Sequence, residues 1–199
     1  MRRDCFTLIS QHTTGGDGRL GLVVRVPFTN YIYAFGAARK LLKRAHDAGS
    51  LIENMALYAS LLDGFLRIGL VLRRQLKSKN DSIDDSLISQ TKGGQFYTER
   101  QIYRMAPQEG VIDATVYDSL SGLYDRRNEI IHKFFLTPIT YESLGDDLMR
   151  YENLFDQLHD IVYAMEAEQI SKGVGMTTTW SHGNREDIFK EIDKKISTA

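Results

Sequence analysis

The densest collection of chemically useful side chains lies in residues 123–133, Leu-Tyr-Asp-Arg-Arg-Asn-Glu-Ile-Ile-His-Lys. Arg126 and Arg127 supply guanidinium groups, Asn128 an amide, Asp125 and Glu129 carboxylates, and His132 an imidazole. A guanidinium is a permanently charged fork of N–H donors suited to oxyanions. An imidazole is the side chain that exchanges a proton near neutral pH. The core of the stretch is Arg127-Asn128-x-x-x-His132. With 15 Arg and 5 His in 199 residues, a bare Arg-x4-His pair is easily met by chance, whereas Asn directly after the Arg makes it rare. Arg39 and His46 form a looser pair with no Asn after the Arg.

An element must hold these groups, and the spacing predicts a helix. Leu120, Leu123, Arg127, Ile130 and Phe134 fall on one stripe at three-four spacing, with Ser121, Asp125, Asn128 and His132 on a polar stripe beside it. Asn128 and His132 then lie about 40° apart, and Arg127 and His132 about 140° apart. A compact site therefore needs the Arg127 side chain to bend round, the helix to loosen near His132, or a second subunit. Asp113 is a good N-cap for this helix, and Pro138 bounds its far end.

Three other long segments carry the same periodicity. Pro27 and Thr29 suit the start of a helix reaching Asp47. Ser50 is the expected N-cap of a second helix over 51–78, with Leu51, Met55, Tyr58, Leu62, Phe65, Gly69 and Leu72 as its core stripe. A helix over 141–170 carries Leu144, Leu148, Tyr151, Phe155, Leu158, Val162 and Met165, and Gly173 ends it. Four such segments predict an all-α chain, an antiparallel four-helix bundle over residues 28–172. Residues 1–27 read as a β or irregular extension, with Cys5–Ile9 and Leu20–Val26 flanking the turn-rich 13–18. That Gly cluster lacks the Gly-Lys-Ser/Thr ending of a P-loop. Residues 173–199 read as a linker and a short C-terminal helix carrying Ile188, Phe189, Ile192 and Ile196. The 79–112 connection is long for a bundle, with one short helix expected near 99–105; it fits a lid, a substrate loop or a partly mobile segment. Arg67, Arg73, Arg74, Lys77 and Lys79 cluster near the second helix's end, either as a solvated, dipole-favoured terminus or as an RNA phosphate contact.

Composition narrows the function classes. A net charge of −1 gives no global positive field, so any nucleic-acid contact must be local. The single cysteine, Cys5, excludes an intramolecular disulfide framework and fits a reducing, cytoplasmic setting. No signal-peptide core follows Met1, and the longest unbroken apolar runs, such as Leu20–Val24, are too short to span a bilayer. No Cys/His cluster with metal-ligand spacing is visible, so no metal or cofactor is expected.

The Arg127-Asn128-x-x-x-His132 signature on the third main helix resembles that of the HEPN superfamily, small all-α domains that are often metal-independent ribonucleases. The resemblance covers roughly residues 28–172. It implies a homodimer with two motifs meeting at the subunit interface. It also implies RNA cleavage by attack of the 2′-OH on the adjacent phosphate, giving a 2′,3′-cyclic phosphate end. The nucleophile is then part of the RNA, and neither an enzyme nucleophile nor a metal is required. His132 would serve as acid/base, Arg127 as phosphate clamp and Asn128 as an orienting hydrogen-bond partner, supported by Arg126, Glu129 and Asp125. DNA lacks the 2′-OH and escapes this route. Many relatives are toxins or defence effectors, so a neutralising antitoxin partner is a further expectation. Two other readings stay open. The domain can be a non-catalytic binding or dimerisation module. Alternatively, Arg127 pairs with a carboxylate such as Asp147 or Glu152 while His132 caps its own helix.

Overall fold

The computed structural model describes residues 26–90 and 96–179, together with positions 190, 193, 194 and 196. The expected β extension lies outside them except at Val26 and Pro27, which open α1 instead; most of the C-terminal helix also lies outside. The described elements are all helical: α1 Val26–Asp47, α2 Leu51–Ser78, α3 Asp85–Ile88, α4 Glu99–Gln108, α5 Ala114–Lys133, a 3-10 turn Phe134–Leu136, α6 Leu144–Lys172 and α7 Met176–Thr179.

The core is built around α2, which packs most extensively on α6 and also on α1 and α4. Its Met55, Tyr58, Leu62, Phe65 and Leu72 are all buried, as their three-four spacing requires. Burying each large apolar side chain contributes about 1.5–3 kcal/mol. Among the described residues, α2 is the one helix long and apolar enough to cross a membrane, yet 72% of its apolar window is buried inside the fold. Its hydrophobicity is that of a central core helix. At Gly64 the α2 backbone comes close to α1: an added Cβ would stand 2.8 Å from the Phe35 ring, and the Tyr31 hydroxyl donates to the Gly64 carbonyl at 2.9 Å.

Helix ends follow local chemistry. Asp113 accepts the Val116 N–H at 2.9 Å to cap α5. Thr98 and Gln101 form a reciprocal capping box on α4. Ser50 stands at the N-cap of α2 but makes no side-chain cap there; its carbonyl simply receives the first helical bond, from Asn54 at 3.0 Å. Gly173 terminates α6 in the left-handed region, at φ 64°.

The 79–112 segment is part of the folded body rather than a free lid, apart from 91–95, which lie outside the described residues. The basic cluster on α2 explains why. Arg67 donates to Asp63, to the Leu87 carbonyl at 2.7 Å and to the Tyr97 carbonyl at 2.8 Å. Arg74 binds both Glu109 and Asp84, each at 2.7 Å. Arg73 and Lys77 take the carbonyls of Gly110 and Glu109. Arg67, Arg73 and Arg74 are thus committed to tying α3 and α4 onto α2, while Lys77 and Lys79 stay exposed at the helix end.

Candidate functional site

The seam between α4 and α5 brings most of the sequence-predicted residues together. Arg127 occupies the apolar stripe of α5, between buried Leu123 and Ile130, so its aliphatic stem is drawn inward and only 16% of its side chain is exposed. Its Nη1 donates to Glu99 Oε1 at 2.8 Å and its Nη2 to Asn128 Oδ1 at 3.3 Å. The Tyr103 hydroxyl donates to the same Glu99 oxygen at 2.7 Å. The guanidinium also lies over the Tyr124 ring, 4.7 Å from its centroid. Burial works against the Arg127 charge, but the Glu99 carboxylate beside it outweighs burial and holds the pKa above its ordinary value. The Tyr103 hydroxyl is pushed well up, first by burial and then by Glu99.

The neighbouring charges sort themselves differently from the sequence expectation. Asp147 pairs with Arg126, not Arg127: Arg126 Nε donates to it at 2.8 Å, and Nη1 donates to Glu129 at 2.8 Å. Asp147 is almost fully buried, with 6% of its side chain exposed, so Arg126 supplies the compensation that a buried carboxylate requires. Those two hydrogen bonds hold the Arg126 guanidinium's pKa above its usual value. Glu152 instead accepts from Tyr58 at 3.3 Å. Asp125 forms an exposed pair with Arg100 at 3.2 Å.

His132 stands apart. It lies in the last turn of α5 with its side chain exposed. Three apolar neighbours in the chain are exposed with it: Ile131 at 48%, Phe135 at 96% and Leu136 at 84%. Thus one copy of the chain gathers Arg127, Asn128, Glu99 and Tyr103, and sets His132 on the outside of the same helix, as the 140° spacing anticipates. The helix tightens into a 3-10 turn only at Phe134, after His132, so no loosening brings the imidazole back toward Arg127.

An open cleft of about 190 Å³ adjoins this network between α4 and α5. Arg100, Tyr103 and Arg104 line it from α4, facing Tyr117, Ser121 and Tyr124 of α5. Arg100 also lies 4.7 Å from the Tyr124 centroid, so that ring carries two guanidinium groups. Glu99, Tyr103 and the cleft were not visible as site residues in the sequence, because Glu99 and Arg127 are 28 positions apart. The local signals are modest: Glu99 and Tyr103 are four apart on one helix face, and Tyr117, Ser121 and Tyr124 continue the stripe of Asn128. Among the described residues, no three His, Cys, Asp or Glu are grouped so as to hold a metal ion. Compared with known proteins, the chain matches no family model, no curated protein and no solved structure.

Proposed function

We propose that the chain is a metal-independent endoribonuclease of the HEPN type, an antiparallel helical bundle whose two copies build one RNA-cleaving cleft from their α5 motifs. The observation that carries this reading is the split exposure of the motif. Arg127 and Asn128 are fixed to each other and to α4, whereas His132 stands in solvent among Ile131, Phe135 and Leu136. An exposed apolar rim of this kind is costly unless covered, and a two-fold interface covers it with the same rim of a second copy. Closing the interface there also brings two imidazoles and two Arg127-Asn128 pairs toward one phosphate.

In the reaction the 2′-oxygen forms a bond to the adjacent phosphorus and the bond to the 5′-oxygen breaks. The products are a 2′,3′-cyclic phosphate and a 5′-hydroxyl. The two copies of His132 divide the proton transfers, one accepting from the 2′-OH and the other donating to the leaving 5′-oxygen. Arg127 has five N–H donors, of which Glu99 and Asn128 hold two; the others supply charge to the developing oxyanion. Glu99 keeps the guanidinium positioned while RNA is absent. Arg126, Glu129 and Asp147 fix the register of α5 against α6. A cytoplasmic location and a neutralising partner belong to the same reading. The direct test is incubation with single-stranded RNA and the matching DNA in EDTA. Cleavage of RNA alone supports the assignment, and strictly divalent-dependent cleavage contradicts it.

A second reading has one observation in its favour. Arg127 is already satisfied by Glu99, as expected of a structural ion pair, which suits a HEPN-like module that dimerises or binds without cutting. Retention of dimerisation and RNA binding with no cleavage under any buffer condition would select it.

A further inference from the structure

We infer that the α4–α5 cleft is a nucleotide-binding subsite that holds one unpaired base and its phosphate beside the scissile bond. The inference rests on the ribonuclease reading for the identity of the ligand, and on the cleft itself for the binding chemistry.

The cleft combines what a single-stranded nucleotide requires. Tyr117 provides aromatic surface on α5, beside a Tyr124 ring that already carries the Arg100 and Arg127 guanidinium groups and meets Tyr103 edge-on at 6.1 Å between centroids. Stacking on aromatic rings is the sequence-tolerant way to hold an unpaired base. Arg100 and Arg104 provide cations on the opposite wall, although the chain as a whole has no basic field. Arg104 is exposed, and it has no hydrogen-bond or ion-pair partner among the described residues, nor do the hydroxyls of Tyr117, Ser121 and Tyr124. Every other arginine near the α4–α5 seam is committed: Arg127 to Glu99, Arg126 to Asp147, Arg100 to Asp125. A cation left uncommitted beside three hydroxyls and the Tyr117 ring is an arrangement that accepts a phosphate with its base.

The position of the cleft ties it to the reaction. Tyr124, Asn128 and His132 follow at intervals of four along α5, each about 40° round from the last, so the row winds slowly about the helix. From Tyr124 to His132 the helix advances about 12 Å. A strand anchored at Tyr117 can therefore follow this row past Asn128 toward the imidazole. Asp125 also borders the cleft and would repel a phosphate placed over it. Its pairing with Arg100, at 3.2 Å, offsets that charge.

The test separates binding from cutting. A fluorescein-labelled single-stranded oligoribonucleotide carrying 2′-O-methyl groups cannot be cleaved by 2′-OH attack, so its anisotropy reports binding alone to the full chain. Wild type should bind it and should bind the corresponding duplex distinctly less well, since paired bases are not free to stack. Arg104→Ala should weaken binding about five-fold or more and lower the salt dependence by close to one phosphate contact, with melting unchanged. Tyr117→Leu should weaken binding about five-fold or more, while Tyr117→Phe retains it because the ring persists. No wild-type binding, equal affinity for the duplex, or Arg104→Ala and Tyr117→Leu variants that bind as wild type would each overturn the subsite. A chain that binds through the cleft but cuts no natural RNA keeps the subsite and overturns the ribonuclease assignment. A chain that cuts RNA with cleft variants as active as wild type overturns the subsite and keeps the ribonuclease.

Discussion

Arg127 of α5 is bound to Glu99 of α4 at 2.8 Å, and the Tyr103 hydroxyl completes the same carboxylate oxygen at 2.7 Å. The pair is mostly shielded, with 16% and 23% of the two side chains exposed. Removing one partner leaves the other as a poorly solvated charge. Glu99→Ala should therefore lower stability by about 2–4 kcal/mol. Arg100→Ala removes a pair whose side chains are 58% and 73% exposed, and should change stability by no more than about 0.5 kcal/mol. Urea unfolding followed by circular dichroism compares the two. Equal effects would mean that the Arg127–Glu99 pair carries no special weight in the fold.

The exposed rim around His132 predicts an assembly. Phe135 and Leu136 are 96% and 84% exposed, so their replacement costs the isolated fold almost nothing. Phe135→Asp and Leu136→Asp should keep the helical circular-dichroism signal and shift light scattering from dimer to monomer. A wild-type monomer, or a dimer untouched by both changes, would remove the shared cleft.

Gln169 marks the joint between α6 and α7. Its side chain donates to the Leu72 carbonyl at 3.2 Å and to Gln75 Oε1 at 3.0 Å, and it accepts from Thr177 Oγ1 at 2.8 Å. Gly175 lies against it with φ 80°, and a Cβ there would overlap the Gln169 amide. Gly175→Ala adds a left-handed strain to that overlap and should destabilise by about 2–3 kcal/mol. Thermal melting checks this, with Gly110→Ala as a control: it shares the positive φ but meets nothing within 4 Å.

Glu166 predicts an unusual pH dependence. Burial pushes its carboxyl up to about 7 from the ordinary 4.5. In the unfolded chain it ionises near its ordinary value, while in the folded chain it stays protonated until about pH 7. The folded state is thus penalised progressively as pH rises from about 4.5 to 7, and fully above that. Glu166→Gln should raise stability at pH 8, by roughly 1–2 kcal/mol after allowance for the side chain's residual solvent contact, and change little at pH 4. Melting curves across that range read the difference; an identical shift at both ends would contradict it.

The long helices were legible because their apolar spacing is strong. The second began at Leu51 and ended at Ser78 as the pattern required, and Asp113 capped α5 as its type implied. The 140° between Arg127 and His132 was equally legible, and the two side chains do face different surroundings. What the pattern could not supply was the partner of Arg127. Asp147 and Glu152 were reasonable carboxylates on α6, but the one that reached Arg127 came from α4, within a connection whose sequence shows no long periodicity. The α2 arginines misled for the same reason. A run of cations looks solvated until the carbonyls of a distant segment, here Leu87, Tyr97 and Gly110, are folded onto it.

The central claim is that His132 transfers the proton in RNA cleavage, and one measurement tests it most directly. Single-stranded RNA is incubated in EDTA with wild type and with His132→Ala, the product ends are identified, and the melting of both proteins is recorded. Because His132 is exposed, its removal should leave melting within about 0.5 kcal/mol of wild type. Wild type should yield 2′,3′-cyclic phosphate and 5′-hydroxyl ends, and His132→Ala should lose cleavage by at least about 100-fold. Cleavage by His132→Ala at the wild-type rate, or ends of the opposite polarity, would contradict the account.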